Sequence, residues 1–342
     1  MLSHLISEYC LNLSIKGFRM KVYCDDGSTT VKLAWLDKSN LHKSLSSNSF
    51  RQGWKVEGMG VRQTFNYEIE GKKYTYDEVS SESILTTHIE YQYNDVNVLA
   101  VHHALLNSGI KPQPVSLTVT LPISEFYTAE CQKNELNIQR KIDNLMRPVT
   151  LNKGEVFIIE SVEVMPESLP SVFSQLVKDK VGQYEKSLVI DLGGTTLDVG
   201  VIVGQFDSVS AIHGNSDIGV SMVTKAALTA LKMASSDTSF MVADELIKQR
   251  RDPDFVRQVV NDESKVALVM DTIESAIAGL GARVVNDLAN FRHVNRVYIV
   301  GGGAPLIEDA VKKAWQHLGS KVVMMDSPQT SLVEAIAAFK GE

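Results

Sequence analysis

The stretch Lys186–Gly204, KSLVIDLGGTTLDVGVIVG, constrains the fold of this chain more than any other. Apolar, β-branched runs over Ser187–Ile190 and Leu197–Val203 predict two strands. They are joined by a tight turn carrying Asp191, Gly193, Gly194, Thr195 and Thr196. Glycines let backbone come close to a ligand, and threonines add hydroxyls beside the exposed amides. Asp191 puts a negative charge into a type of loop that usually gathers positive ones. That mix suits a phosphate ligand carrying its own Mg²⁺, which binds through one or two carboxylates and otherwise keeps its waters. Taken alone, the stretch reads equally well as an ordinary hairpin with glycines at its turn.

The chain repeats the pattern. Lys21–Trp35, KVYCDDGSTTVKLAW, aligns Asp25 with Asp191, Asp26 with Leu192, and Gly27 and Ser28 with Gly193 and Gly194. Thr29 and Thr30 fall on Thr195 and Thr196. Two matching strand–loop–strand units far apart in one chain imply two similar domains facing each other. Their loops can then clasp one polyphosphate from both sides. A third glycine loop, Gly301-Gly302-Gly303-Ala304, follows the predicted strand Arg296–Val300. Three glycines in a row remove every Cβ, so backbone there is expected to lie flat against a nucleoside.

At 342 residues the chain has room for about two domains with sizeable cores. A net charge of −7 argues against direct, non-specific DNA binding, which needs a basic surface. The three cysteines, Cys10, Cys24 and Cys131, are scattered and without metal spacing, which makes a reducing cytoplasm the expected setting. No apolar run is long enough to span a bilayer. Residues 1–19 lack the small-residue cleavage site of a signal peptide. They are expected to be a poorly ordered extension ahead of Met20, with a short amphipathic helix as the alternative.

Taken in order, Lys32 sits early on the strand leaving the first loop, where an ammonium can reach phosphates. The aromatic-rich segment 48–79 predicts a hairpin turning near Gly71. Asp95–Ser108 reads as a helix capped by Asn94 or Asp95 and ended by Gly109. Its His102-His103 pair cannot easily share one metal, because adjacent helix positions diverge by about 100°. A strand over Val115–Leu121, a polar helix over 128–147 and a hairpin turn at Asn152-Lys153-Gly154 follow. In VEVMPESLP a strand ends at Met165 and a helix starts near Ser168–Pro170, which leaves Glu167 at the corner. Residues 178–186 read as a linker. Helices are expected over 219–234, 262–291 (about 45 Å long), 306–318 and 331–340, with a strand over 321–325. The last helix is expected to cross back to the first domain as one of two hinge connections.

Two Asp-x-Gly-[Ser/Gly]-Thr loops and a late strand entering GGGA resemble the nucleotide site of the actin, sugar-kinase and heat-shock-chaperone ATPase superfamily. Within it, DDGSTTVKLAW, YNDVNVLAVHHALLNSG, VMPESLP, LVIDLGGTTLDV, DIGVSMVT and GGGAPLIEDAVKK are similar to strings of the ParM (StbA) family of plasmid-segregating bacterial actins. The resemblance runs from about Met20 to the C-terminus. It implies an α/β, duplicated, ribonuclease-H-like actin fold, with domain I over 20–180 and 326–342 and domain II over 181–325. ATP or GTP with Mg²⁺ would lie in the interdomain cleft. Asp25 and Asp191 would hold the metal, with Asp191 also catalytic. Asp26, Gly27, Ser28, Thr29, Thr30, Lys32, Gly193, Gly194, Thr195, Thr196 and Gly301–Ala304 would hold the nucleotide. The resemblance makes Glu167 the leading catalytic residue, orienting the attacking water, where the bare sequence offers only a favourable helix-dipole position. It also implies a filament that disassembles on hydrolysis, aromatics of 48–79 as subunit-contact candidates, and a ParR-type adaptor bridging to plasmid DNA. A small-molecule kinase of the sugar or acetate type is the alternative.

Overall fold

The computed structural model describes residues 20–58 and 63–341. The expectation for residues 1–19 lies outside the described residues.

The chain starts with β1 (Met20–Asp26), β2 (Thr30–Asp37) and β3 (Asn40–Ser47), an antiparallel meander. A small sheet then forms from β4 (Phe50–Gln52), β5 (Asn66–Ile69) and β6 (Lys72–Tyr76), with Gly71 at φ 77° in the turn between β5 and β6. Helix α1 (Asp95–Asn107) is capped by the Asn94 side chain and ends before Gly109 at φ 84°. It returns the chain to β7 (Pro114–Leu121), parallel to β1. Helix α2 (Glu135–Leu145) leads through β8 (Thr150–Leu151) to β9 (Ile158–Pro166), parallel to β7. The first sheet therefore reads β3-β2-β1-β7-β9.

A short helix α3 (Phe173–Lys178) leads into the same plan again. β10 (Lys186–Leu192), β11 (Leu197–Val203) and β12 (Ser208–Asn215) form the second meander. Helices α4 (Ser221–Met233), α5 (Phe240–Lys248), α6 (Pro253–Val259) and α7 (Val266–Asp287) intervene before β13 (Arg296–Val300). Helix α8 (Ala304–Ala314) and β14 (Val322–Met324) complete a sheet of order β12-β11-β10-β13-β14. Three antiparallel and two added parallel strands occur in both sheets, so the duplication seen in the loops is a duplication of whole folds. Helix α9 (Ser331–Lys340) packs Leu332, Val333, Ile336 and Ala337 on Tyr23 and Ala34 of the first sheet, as the expected return crossing requires.

Several expected bounds differ. The helix of 128–147 begins only at Glu135, because Asn134 caps it and residues 127–133 close a small bridge (Tyr127 to Lys133) first. Asn152–Gly154 does not close a hairpin: β8 pairs with β5 while β9 joins the other sheet, so the turn hands the chain from one sheet to the next. The long helix has 22 residues, about 33 Å, with separate short turns at both ends. The segment around His103 is a packed aromatic cluster, with Phe50, Phe65, Tyr67 and Tyr76 around the imidazole. Tyr67 Oη and Asn107 Nδ2 occupy its two ring nitrogens, and burial pushes its pKa down to about 3. That is a neutral core histidine with no nitrogen left for a metal.

Candidate active site

The two repeated loops meet at the seam between the sheets. Ser28 Oγ and Thr195 Oγ1 hydrogen-bond at 2.7 Å, and a Cβ added at Gly194 would lie 2.7 Å from Thr29 Cγ2. Only glycine permits that approach. Asp25, Gly27, Ser28, Thr29, Lys32, Glu167, Asp191, Gly193–Thr196, Gly301 and Gly302 line one polar cavity of about 50 Å³. A second cavity of about 200 Å³ shares Thr29, Gly194, Gly302 and Gln329 with the first and adds apolar walls from Val220, Ile247, Pro305 and Leu306.

Strand geometry explains which residues face the cavity. Successive side chains point to opposite faces, so Asp25 and Asp26 diverge. Asp25 ion-pairs with Lys32 Nζ at 2.9 Å inside the cleft. Asp26 does not face the cleft, contrary to the expectation that it binds nucleotide. It is fully buried on the other side of β1, where Lys141 Nζ and Asn97 Nδ2 donate to its carboxylate. Thr30 and Gly303 line only the second cavity, and Ala304 lines neither.

The glycine loop also divides. A Cβ at Gly301, whose φ is 86°, would meet Asp191 Oδ1 at 2.2 Å, and one at Gly303 would meet Val220 Cγ2 at 2.6 Å. These two are glycine because the protein itself crowds them. At Gly302 nothing but Gln329 comes within 4 Å, at 3.8 Å, so its open face belongs to the cavity.

The electrostatics are lopsided. Asp191 is pushed up to about 8, first by burial and then by Asp198 and Asp25, with Lys32 opposing. Glu167 is raised well above its ordinary value by burial, and then by Asp198, Asp25 and Asp191. Asp198 is raised to about 6 by burial, although Thr196 and the Ile123 N–H, donating at 2.7 Å, favour its charged form. Burial works against the charge on Lys32, but Asp25, Glu167 and Asp191 outweigh it and hold the ammonium. Three carboxylates, Asp25, Glu167 and Asp191, therefore converge on one lysine, with Asp198 buried behind Asp191, a surplus that a divalent cation would offset. Among the described residues no group of three or more His, Cys, Asp and Glu is arranged to bind a metal directly. The donor set thus fits an ion held by few carboxylates and otherwise by water and phosphate, the habit of Mg²⁺.

Sequence reasoning missed Asp198, which stands across the β10–β11 ladder from Asp191. Its signal was one carboxylate inside the otherwise apolar run LDVGVIV. It also missed His88, Tyr91, Gln92 and Gln329 on the cavity wall, which carry no sequence pattern.

A twice-repeated sheet with a carboxylate- and glycine-lined cleft at the seam defines the actin-like class of two-domain α/β proteins. The chain belongs to the plasmid segregation protein ParM family: the family's N-terminal domain matches residues 20–178 and its C-terminal domain residues 181–339. No curated protein sequence matches it. Among solved structures it is similar to Ta0583, an archaeal actin homologue (19% identity, TM-score 0.67, 94% of this chain and 99% of that one). It is also similar to a subunit of a 15-stranded ParM filament from Clostridium botulinum (12%, 0.67, 94% and 99%). A third is a non-polymerisable quadruple mutant of pCBH ParM (13%, 0.70, 94% and 99%). Among the described residues no helix is long and apolar enough to cross a membrane.

Proposed function

We propose that this protein is an ATPase that assembles into filaments with nucleotide bound, drives plasmid segregation, and comes apart after hydrolysis. The observation that carries this reading is the meeting of two Asp-x-Gly loops from separate sheets, Ser28 on Thr195, around a cavity holding Lys32, Glu167, Asp25 and Asp191. The match to ParM along nearly the whole chain supports it. So do an ADP complex of the archaeal homologue and filaments of other relatives. The domains would be 20–180 with 326–342, and 181–325.

Asp25 and Asp191 would hold Mg²⁺ through its waters, and the ion when bound would offset charge on the phosphates. Gly27–Thr29, Gly193–Thr196 and Lys32 would grip the phosphates, and the second cavity beside Gly302 would take the nucleoside. Glu167 would orient the attacking water. Phosphoryl transfer asks the protein mainly for positioning and charge stabilisation, so one such residue suffices. Since both sheets grip one ligand, losing its terminal phosphate removes part of what joins them. A ligand shifts such an equilibrium only by its differential affinity for the two states. Head-to-tail copies whose rotation does not close form an open filament. A ParR-type adaptor would connect it to DNA, in keeping with a net charge of −7.

Light scattering with simultaneous phosphate release after ATP addition tests this. Assembly followed by collapse is expected, with Glu167→Ala assembling but releasing phosphate at least tenfold more slowly and leaving lasting filaments. Steady ADP production that depends on an added sugar or acetate, without scattering, would replace this reading with that of a kinase.

A further inference from the structure

The residues that follow Glu167 are held in an unusual way. On one side Glu167 is anchored to the first sheet, its N–H donating to Leu121 O at 2.9 Å. On the other side Leu169 N–H donates to Glu167 O at 2.9 Å, closing a three-residue turn centred on Ser168. Ser168 has φ 71° and ψ −73°, the rare and strained form of the γ-turn. Its side chain is fully buried, and its Oγ has no hydrogen-bond partner. The Ser168 carbonyl accepts from the N–H and Oγ of Ser171, but the hydroxyl is uncompensated and the positive φ is strained, so the surrounding structure must help to hold the turn in place.

The last helix, α9, packs on the 169–172 segment, and Leu169 ties the turn to the second sheet. Its side chain sits over Gly200 of β11, so closely that a Cβ at 200 would lie 2.1 Å from Leu169 Cδ2 and 3.2 Å from its Cγ. Gly200 lies mid-strand, between Val189 and Ile212 in the ladder, and no positive φ explains it. Glycine inside a strand often marks close approach by another part of the chain. Its neighbours in the pleat face the same way: Asp198 accepts from the Ile123 N–H, and Ile202 shares a buried cluster with Leu169, Val172 and Leu176. Leu169 is thus a knob of the segment leaving the first sheet, set into a hole in the second. A single strained residue, Ser168, joins it to Glu167.

We propose that Leu169 and Gly200 are positioning residues for hydrolysis: seating Leu169 in the Gly200 hole sets the place of Glu167. The attacking water is then oriented only when the two sheets are properly docked. This rests on the reading of Glu167 as the water-orienting residue. A misplacement of about 1 Å in such a group can cost about 100-fold in rate. The turn has little slack to absorb one.

The test is single-turnover phosphate release with ATP, beside equilibrium binding of the non-hydrolysable analogue AMPPNP and thermal melting, on the full chain. Gly200→Ala, which fills the hole, should slow release at least tenfold while AMPPNP affinity stays within about threefold. Gly200→Ala/Leu169→Ala, which also removes the knob's clashing carbons, should be faster than Gly200→Ala alone, although it buries less apolar surface. Ser168→Gly, which keeps the Leu169–Gly200 contact, removes an unpartnered buried hydroxyl and frees the turn, should slow release without lowering the melting temperature. Wild-type release by both Gly200→Ala and Ser168→Gly, with Glu167→Ala slow, overturns the inference and spares the reading beneath it. A double variant no faster than Gly200→Ala also overturns it. Wild-type release by Glu167→Ala overturns both.

Discussion

Gly301, Gly302 and Gly303 are neighbours of one residue type held for different reasons. In the sequence they read as a single flat surface for a nucleoside. In the folded chain only Gly302 of the three keeps an open Cβ direction, since Cβ atoms at 301 and 303 would strike Asp191, Leu192 and Val220. Gly303→Ala would push a methyl into Val220 and Leu192 at 2.6–2.7 Å. Overpacking of that kind costs about 1–3 kcal/mol, so urea denaturation should show a lower midpoint with an unchanged slope. Gly302→Ala meets nothing closer than 3.8 Å and should leave that midpoint in place. It should instead weaken nucleotide binding several-fold by titration calorimetry. A drop in stability without a change in affinity at 302 would return that glycine to the fold. Sequence alone cannot separate such cases, because the collisions come from residues far away along the chain.

At the level of the strand, β1 shows what was legible and what was overlooked. The repeated loops, their flanking strands and the returning C-terminal helix follow from local pattern, since alternation and glycine placement are local properties. Asp26 was open to the same reasoning: its counterpart in the second repeat is Leu192, a fully buried core residue. A position that is leucine in one copy faces the interior in both, so Asp26 needed a buried counter-charge. That charge is Lys141, on a helix over a hundred residues away, and no local pattern announces it. Strands β3 and β12 and helices α5 and α6 went unread for a related reason. β3 and β12 are sheet edges, β3 mostly exposed and β12 at most half-buried, and the two helices are short. Lys141→Met would leave the Asp26 carboxylate buried without its cation and should cost about 3–5 kcal/mol in urea denaturation. Asp26→Leu/Lys141→Met restores the leucine of the second copy and should regain most of that loss. Equal instability of the single and double variants would mean that the pair does more than balance charge.

For the molecule as a whole, the two sheets are joined at a seam where carboxylates gather. Ser28 meets Thr195 there, Ser81 Oγ donates to Asp237, and Ser239 Oγ donates to Glu78 O. Asp191, pushed up to about 8, and Asp198, to about 6, keep protons in the folded chain that the unfolded chain releases near the ordinary 3.8. Between those values the folded state binds more protons than the unfolded one, so stability falls as pH rises. The stabilisation is complete below about pH 4 and is lost progressively towards pH 8, opposite in sign to a carboxylate held by a salt bridge. Nucleotide-free protein should therefore melt lower at pH 8 than at pH 6. A loss of about 1 kcal/mol corresponds to about 2–4 °C for a domain of this size. Mg²⁺ with AMPPNP should flatten that slope, since a cation beside Asp25 and Asp191 favours their charged forms, and chelation with EDTA should restore it. Asp191→Asn should flatten it without any ligand. Scanning fluorimetry from pH 6 to pH 8 reads all three, and an Asp191→Asn slope equal to that of the wild type would show that the pH response arises outside the cleft.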